Sequence, residues 1–412
     1  MTDTVNQLVS YGLHSSSSDW TTTPSLINVR LAENNHLWPK PEYNKIVRAG
    51  VVPDTNDPVP GLRGPPNQVL GDISMEVEGL SGGGAGNDVE SSTLSTSLAS
   101  AYESVFGVAA TSSQGDTTDA TDAGSGTTVT MDGSPNATAD EWVLVRTTTG
   151  GAYQARQAIS RASSDLTVCR ALTTIVGGAD TADEGEVNYG GTYWYVSNAA
   201  ASHKHQSWKV EHVGGVEGQF NGCFPQSAGW SMAFGEVLRF NMGGMTATEW
   251  TKQDAQGGSY SAPTSGDKVV CSPIYVYIGN SLMMASEVGI DLGLQVAPRP
   301  AGQAAANMFG HVVTRMAPTI SMTLTFGDVT APQEATNALI NTWQGTYANS
   351  TYTADVLIQA GDRPGGCAAW RAEAMDFTSV QRVDVNGLEG VTITGTCTEA
   401  SGALGPLVHA IF

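Results

Sequence analysis

The same β-strand pattern, beginning with Ile-Ser-Met, occurs at two distant places in the sequence. Residues 73–80 read ISMEVEGL, and residues 320–327 read ISMTLTFG. In both segments apolar side chains alternate with polar ones, which predicts a strand with one face on a core and the other towards water. A chain that repeats a strand pattern in this way is typical of an internal duplication.

An amphipathic helix is predicted after each copy of this strand. Residues 92–107 carry apolar side chains at helical spacing, and Gly107 is suited to end the helix. Residues 333–347 repeat the pattern after the second copy, where Pro332 suits a first helical turn. Each half is therefore expected to follow the order strand, loop, helix.

A Gly-Cys pair is the third landmark that the two halves share. The pairs are Gly222–Cys223 and Gly366–Cys367, and each leads to an alternating strand that ends near Met242 or Thr396. Three landmarks in the same order favour duplication far more than any one of them does.

The first half is longer because it contains an insertion. Its strand and its Gly-Cys pair are much further apart than those of the second half. Residues 111–140 are polar and Gly-rich, which predicts a mobile stretch. Residues 141–172 then read as short strands and turns, so the insertion is expected to be a small β-barrel or an open meander of strands.

Composition favours a mainly β protein that does not grip nucleic acid. The 412 residues include 48 glycines, and only 14% are charged. Acidic residues number 40 against 19 basic ones, for a net charge of −21. Binding to nucleic acid needs Lys and Arg to neutralise phosphates, so this balance suits a soluble surface or a passage to which DNA must not stick.

The cysteines and the N-terminus indicate folding in a cytoplasm. The five cysteines form no CxxC pair and are expected to be reduced and buried. Residues 1–20 lack the basic region and apolar run of a signal peptide. No stretch has the length of a membrane span, so we expect no membrane association.

The motifs that resemble chemical sites are all incomplete. Residues 79–86 are Gly-rich but lack the Lys-Ser or Lys-Thr of a phosphate loop. Ser231 lies in GWSMA, which lacks the final Gly of a nucleophile elbow. His203, His205 and His212 lack a further ligand at metal spacing and are expected to be solvent-facing strand residues. We therefore predict no catalytic, cofactor or metal site.

Three segments of the sequence carry a resemblance to a known protein family. They are LGDISMEVEG with the 92–107 helix, HQSWKVEHVGGVEGQFNGCFPQSAGWSMAFGEVLRFNMGG, and the insertion DEWVLVRTTTGGAYQARQAISRASSDLTVCRAL. Together they resemble the tail tube (major tail) proteins of tailed phages. The resemblance covers most of residues 50–412, and it depends on the order of the segments more than on single residues.

This resemblance implies two tandem tail-tube-like β-sandwich domains, each with one packed α-helix, plus a small inserted β-barrel domain. The expected divisions are an N-terminal arm at 1–50, a first tube domain at 51–110 and 200–262, the insertion at 111–199, and a second tube domain at 263–412. The arm is expected to be irregular, and the insertion to decorate the outside of the assembly.

The resemblance also implies a virion structural protein, not an enzyme, that is assembled in the host cytoplasm. Two fused tube domains predict homotrimeric rings with pseudo-sixfold symmetry, with a homohexamer as the alternative. The implied partners are a tape measure protein in the lumen and tail terminator and distal tail proteins at the ends. DNA passes through without specific binding, and Glu76 and Glu78 are the candidate lumen-facing residues.

Three other functions remain open at this stage. Another tail ring component, such as a distal tail, baseplate hub or terminator protein, would differ in its copy number per virion. An acidic β-rich adhesin or decoration protein would fit the Ser/Thr-rich composition, but it normally needs a secretion signal. A polysaccharide-active enzyme should show paired carboxylates in an aromatic cleft, and none is recognisable in the sequence.

Overall fold

The computed structural model is mainly β, which confirms the predicted class. It describes residues 7–14, 24–29, 40–45, 63–80, 94–112, 117–122, 126–131, 139–146, 152–163, 165–172, 185–188, 192–196, 203–212, 216–254, 267–300, 308–325, 352–385, 387–399 and 405–412. These ranges contain 26 strands and one α-helix, and large antiparallel sheets dominate. No helix within them combines the length and apolarity needed to cross a bilayer.

Seven neighbouring strands form the centre of the largest sheet. In spatial order they are β4 (Arg63–Glu76), β16 (Arg239–Ala247), β15 (Ser227–Ala233), β19 (Ser281–Asp291), β22 (Thr319–Thr325), β25 (Leu388–Thr398) and β24 (Ala368–Val385). Ile73 and Met75 of β4 are buried, whereas Ser74 and Glu76 are partly exposed. The alternation predicted for the first strand is therefore confirmed up to Glu76.

The second half of the sheet closes on itself. Two further strands, β18 (Ile274–Ile278) and β23 (Thr353–Ala360), connect β19 back to β24. The pairings therefore form a circuit β19–β18–β23–β24–β25–β22 that returns to β19. Beyond β24 the sheet continues through β26 (Val408–Ile411), β12 (Thr192–Tyr195) and β5 (Thr111–Ser112).

A second sheet includes residues near the N-terminus. Its order is β17 (Glu249–Asp254), β14 (Val216–Cys223), β13 (Gln206–His212), β1 (Gln7–Leu13) and β2 (Ile27–Asn28). The prediction of an irregular arm is wrong for β1, because Val9 and Tyr11 are buried and pair with Val210 and Trp208. Apolar alternation in a short segment is enough to give such a strand its inner face.

The helix α1 (Thr96–Phe106) packs against β1, β2 and β12. It begins after Ser95, later than the sequence predicts, and ends at Gly107 as expected. Gly107 has φ 74°, a left-handed conformation that glycine adopts without steric cost. The second predicted helix, at 333–347, lies outside the described residues.

Two hairpins extend from the central sheet. The first pairs β3 (Lys40–Lys45) with the beginning of β4. The second consists of β20 (Leu294–Pro300) and β21 (Met308–Met316), and it lies in the chain between β19 and β22.

A small closed barrel forms from six strands. Its members are β6 (Thr117–Asp122), β7 (Thr128–Met131), β8 (Trp142–Arg146), β9 (Gln154–Ala162), β10 (Asp165–Val168) and β11 (Gly185–Asn188). The prediction of a mobile 111–140 stretch is wrong for β6 and β7, because Val129 enters the barrel core beside Val143 and Leu166. The strands that lead into and out of the barrel, β5 and β12, pair with each other.

Buried arginines hold the barrel against the central sheet. Arg170, from the barrel side, and Arg371, on β24, both form ion pairs with Asp355, at 2.9 and 3.0 Å. Arg371 also donates to Gln157 Oε1 of β9 at 2.6 Å. Burial lowers the pKa of Arg170, although Asp355 opposes that shift. The contact therefore combines directional ion pairs with an apolar cluster that includes Trp142 of the barrel and Phe412.

The core between the sheets contains a histidine among aromatic rings. His409 stacks on Trp370 with ring centroids 4.8 Å apart, and it also contacts Trp230 and Tyr102. Its Nδ1 lies 3.1 Å from the carbonyl oxygen of Ala369, which can only accept, so the neutral ring carries its proton on Nδ1. Complete burial lowers the pKa of His409 to about 3.

The cysteines are free thiols, in agreement with the prediction. Cys223, Cys271, Cys367 and Cys397 are buried, and Cys169 is partly exposed. Burial raises the pKa of Cys271 and Cys397 to about 12, so these thiols stay protonated and unreactive at neutral pH.

Acidification should destabilise the fold through two buried histidines. His409 binds a proton near pH 3 and His311 near pH 4 in the folded chain, against an ordinary value of 6.5. Between pH 6.5 and pH 4 the unfolded chain binds more protons, so the free energy of unfolding falls as pH falls. We expect a loss approaching about 1.4 kcal/mol per pH unit for each histidine, measured by urea unfolding at pH 7 and pH 5. His409→Phe should keep a flat ring and reduce this slope, and an unchanged slope would contradict the assignment.

Candidate functional site

A continuous polar face crosses all seven central strands. Residues directly opposite each other form three rows, and we call these rows the polar face. The first row is Glu76, Arg239, Ser231, Gly289, Ser321, Thr394 and Ser379; the second is Ser74, Asn241, Gly229, Asp291, Thr319, Thr396 and Asp376; the third is Ala233, Glu287, Thr323, Thr392 and Gln381. Hydroxyl, amide and carboxylate groups dominate the rows.

The opposite side of the same strands is a continuous apolar core. One inner row is Met75, Phe240, Trp230, Ile290, Ile320, Gly395 and Phe377, and each of its members is buried. Because side chains alternate along a strand, a one-residue shift of any strand would place its apolar side chains in the polar rows. The register between the strands is therefore what separates the two faces.

Hydrogen bonds connect neighbouring strands along the polar face. Ser74 Oγ donates to Asn241 Oδ1 at 2.7 Å, and Asn241 Nδ2 donates to Ser231 Oγ at 3.0 Å. In the second half, the hydroxyls of Ser321 and Thr394 lie 3.3 Å apart. These cross-strand pairs fix the orientation of the exposed side chains.

The charge on the polar face is negative. Glu76, Glu287, Asp291 and Asp376 belong to the rows, and Arg239 is their one basic member. Asp291 also accepts a hydrogen bond from the backbone of the turn that follows it. A face with these groups can be hydrated, and it offers little positive charge to phosphates.

The two residues predicted to face a lumen lie in different surroundings. Glu76 belongs to the first row and forms an ion pair with Lys268. Glu78 lies beyond the end of β4, where it bridges to the backbone of Lys268 and is only 7% exposed. The strand ends at Glu76, so the alternation that would expose Glu78 stops before it. Glu78 therefore presents little surface in the folded chain.

The histidine group does not match its prediction. His203 and His205 are buried, so the expectation of solvent-facing residues is wrong for both. They precede β13 and pack their rings against Phe224. His205 Nε2 accepts a hydrogen bond from the backbone of His311 at 2.8 Å. Among the residues that the structure describes, no group of three or more His, Cys, Asp or Glu could hold a metal ion.

Ser231 is an exposed member of the first row. Its Oγ accepts a hydrogen bond from Asn241, and the residues opposite it are Arg239 and Gly289. No histidine belongs to any of the three rows, so Ser231 has no neighbour of the Ser-His type on the polar face. Most of the Gly-rich 79–86 loop lies outside the described ranges.

Sequence reasoning missed the glycines of the polar face. A Cβ on Gly229 would lie 2.0 Å from the carbonyl oxygen of Ile290, so β15 and β19 approach closely there. Gly289, on the next strand of the face, has no atom within 4 Å of such a Cβ. Both glycines lie in strands where Gly carries an entropic cost, but close approach explains only Gly229.

Comparisons with protein-family models and with curated proteins find no match for this sequence.

The two glycines make a matched pair of tests. Gly229→Ala should destabilise the fold by about 2 kcal/mol or more, because the backbone of β19 cannot move aside cheaply. Gly289→Ala should be neutral or stabilise by about 0.5 kcal/mol, because its Cβ enters open space and the unfolded chain loses entropy. Urea unfolding of both variants checks this, and equal effects would contradict the close approach at Gly229.

Proposed function

We propose that this chain is a phage tail tube subunit whose copies join into rings that stack around a channel for DNA. The observation that carries the proposal is the polar face, which continues across seven strands and is backed by a core. Neighbouring copies would extend this sheet sideways until it closes, which removes its exposed edges. Four carboxylates against one arginine give the wall a charge that repels the DNA backbone.

The duplicated halves belong to the same proposal. In each half the ISM strand pairs with the strand that ends the Gly-Cys segment, and that strand pairs with the one directly after the Gly-Cys pair. The two triplets are β4–β16–β15 and β22–β25–β24. Every pairing in the run is antiparallel, so with β19 between them the two triplets point the same way. Neighbouring units around a ring axis share the same strand direction, because rotation about the axis leaves that direction unchanged.

The finer domain arrangement follows from this correspondence. In this proposal the chain consists of two tandem tube domains with the barrel inserted in the first. The bounds differ from those predicted, because β3 of the predicted arm pairs with β4, and β12 of the predicted insertion pairs with β26. The β15–β19 pairing joins the two domains inside one chain. The same kind of junction joins β24 of one copy to the first domain of the next. Residues 30–39, which correspond in the chain to β19, lie outside the described residues.

The width of the sheet favours three chains per ring. Strands lie about 4.8 Å apart, so the seven strands and the one expected at the junction between copies cover about 38 Å of wall. Three such arcs enclose a ring about 37 Å across between strand backbones, which leaves room for a duplex, whereas six enclose about 73 Å. The tape measure protein would occupy this bore during assembly, and terminator and distal tail proteins would close the two ends of the virion tail.

Averaged negative-stain images of the purified chain test the ring. We expect stacked rings with a central bore, three chains per ring and three barrels projecting outwards. Native mass spectrometry of isolated rings measures the number of chains. Six chains in each ring would refute the trimer, and a monomer without assemblies at high concentration would refute the tube.

Added positive charge tests which face lines the bore. Ser321→Lys with Thr394→Lys places two cations in the first row, where they should make assembled tubes retain a short fluorescent duplex at low salt. The matched control, Ile159→Lys with Ser160→Lys, places the same charges on exposed barrel positions. Retention by the control alone would show that the polar face does not line the channel.

A further inference from the structure

An exposed aromatic residue lies at one end of the central sheet. Phe234 follows β15 in the turn to β16, and it is 65% exposed. Val270, 37% exposed, lies beside the same turn, because Val237 bridges to Val270 and the Gly235 amide donates to Cys271 at 2.9 Å. We call this region the Phe234 end. Phe234 and Val270 therefore expose apolar surface at the same end of the sheet, which a second chain could cover.

Acidic side chains surround the Phe234 end. Glu236 and Glu287 are exposed there, and Glu287 lies opposite the last residue of β15. The nearby Lys268 is engaged by Glu76. An apolar centre with a charged rim is the composition of a protein-protein contact, in which the rim selects the partner by its charge.

The β20–β21 hairpin has the opposite charge. Residues 294–316 contain Arg299 and Arg315 and no Asp or Glu, in a chain whose net charge is −21. Both arginines are exposed, and no described residue forms an ion pair with either. The exposed positive charge of this hairpin is complementary to a partner that carries carboxylates.

The hairpin and the Phe234 end lie at opposite ends of the same strands. The beginning of β15 lies opposite Asp291, after which the hairpin begins, and the end of β15 lies opposite Glu287. The hairpin returns to the sheet at Thr319, opposite Asp291. Two copies of the chain stacked in the same orientation would therefore bring one copy's hairpin to the other's Phe234 end.

We propose that the Phe234 end of one copy binds the β20–β21 hairpin of the next copy along the stacking axis. This inference rests on the proposed function, since it names the contact between successive rings. Phe234 packs on the hairpin, and Arg299 and Arg315 meet the carboxylates around it. The contact joins two different surfaces, so it repeats without closing and extends a filament.

The first half repeats the geometry. In the β3–β4 hairpin Lys40 pairs with Val69, and in the β20–β21 hairpin Leu294 pairs with Met316, at positions that correspond in the two halves. The turn between β24 and β25, near Gly387, corresponds to the turn at Phe234. Each ring of three chains therefore offers six hairpins to six turns of its neighbour.

Phe234→Ser tests the apolar part of this contact. The variant should still form rings, but its critical concentration for tube growth should rise about 10-fold or more, measured by sedimentation and negative-stain imaging. The matched control, Ile159→Ser, removes an exposed apolar side chain from the barrel and should grow tubes normally. Circular dichroism of both variants confirms that they are folded.

Charge reversal tests the partner. Arg299→Glu with Arg315→Glu should stop tube growth at the ring stage, and so should Glu236→Lys with Glu287→Lys. The chain that carries all four substitutions restores opposite charges across the contact and should grow tubes again. Recovery of tube growth in the fourfold variant would show that neither pair of substitutions prevents folding, and that growth depends on opposite charges across the contact.

The outcomes distinguish failure of this contact between rings from failure of the proposed tube function. Tubes of wild-type chain together with normal tubes of Phe234→Ser and both charge pairs would overturn the contact and leave the tube intact. Folded monomers of Phe234→Ser would place Phe234 between neighbours within a ring and would also overturn it. Absence of tubes from the wild-type chain would overturn both proposals.

Discussion

The register between neighbouring strands is the constraint on which the rest of this structure depends. Strands such as β15 and β22 alternate in burial, but alternation by itself only says that a strand has two faces. It is the direct opposition of Met75 with Phe240, and of Trp230 with Ile290, that assembles these faces into one core. The polar face follows from the same pairings without further information. A single slipped strand would mix the two surfaces along its whole length.

Local features of the chain were predictable because they depend on few residues. The strand at 73–76 follows from alternation, and the helix end at Gly107 follows from the one residue type that tolerates a left-handed backbone. The Gly-Cys landmarks also identified strands that take corresponding positions in the sheet. In each case the physical cause lies within a few positions along the sequence.

Other features were not predictable because their causes are distant in the chain. The strand β1 is ordered by β13, which comes almost 200 residues later. His203 and His205 sit in a polar-looking stretch, yet Phe224 and the β21 segment cover them. The β6 and β7 segments are rich in Thr and Asp, and only closure of the barrel gives Val129 a core. Long-range contacts override local composition in all three cases.

The contact between the barrel and the sheet has a consequence for how the barrel is held. Asp355 is shared by two buried guanidinium groups, one from each side of the contact. The contact also contains an apolar cluster, in which Trp142 and Leu144 of the barrel lie with Leu357 and Phe412. Rotation of the barrel would separate the buried Arg170 guanidinium from the Asp355 carboxylate, at a cost of several kcal/mol. The barrel is therefore held in one rotational orientation relative to the central sheet.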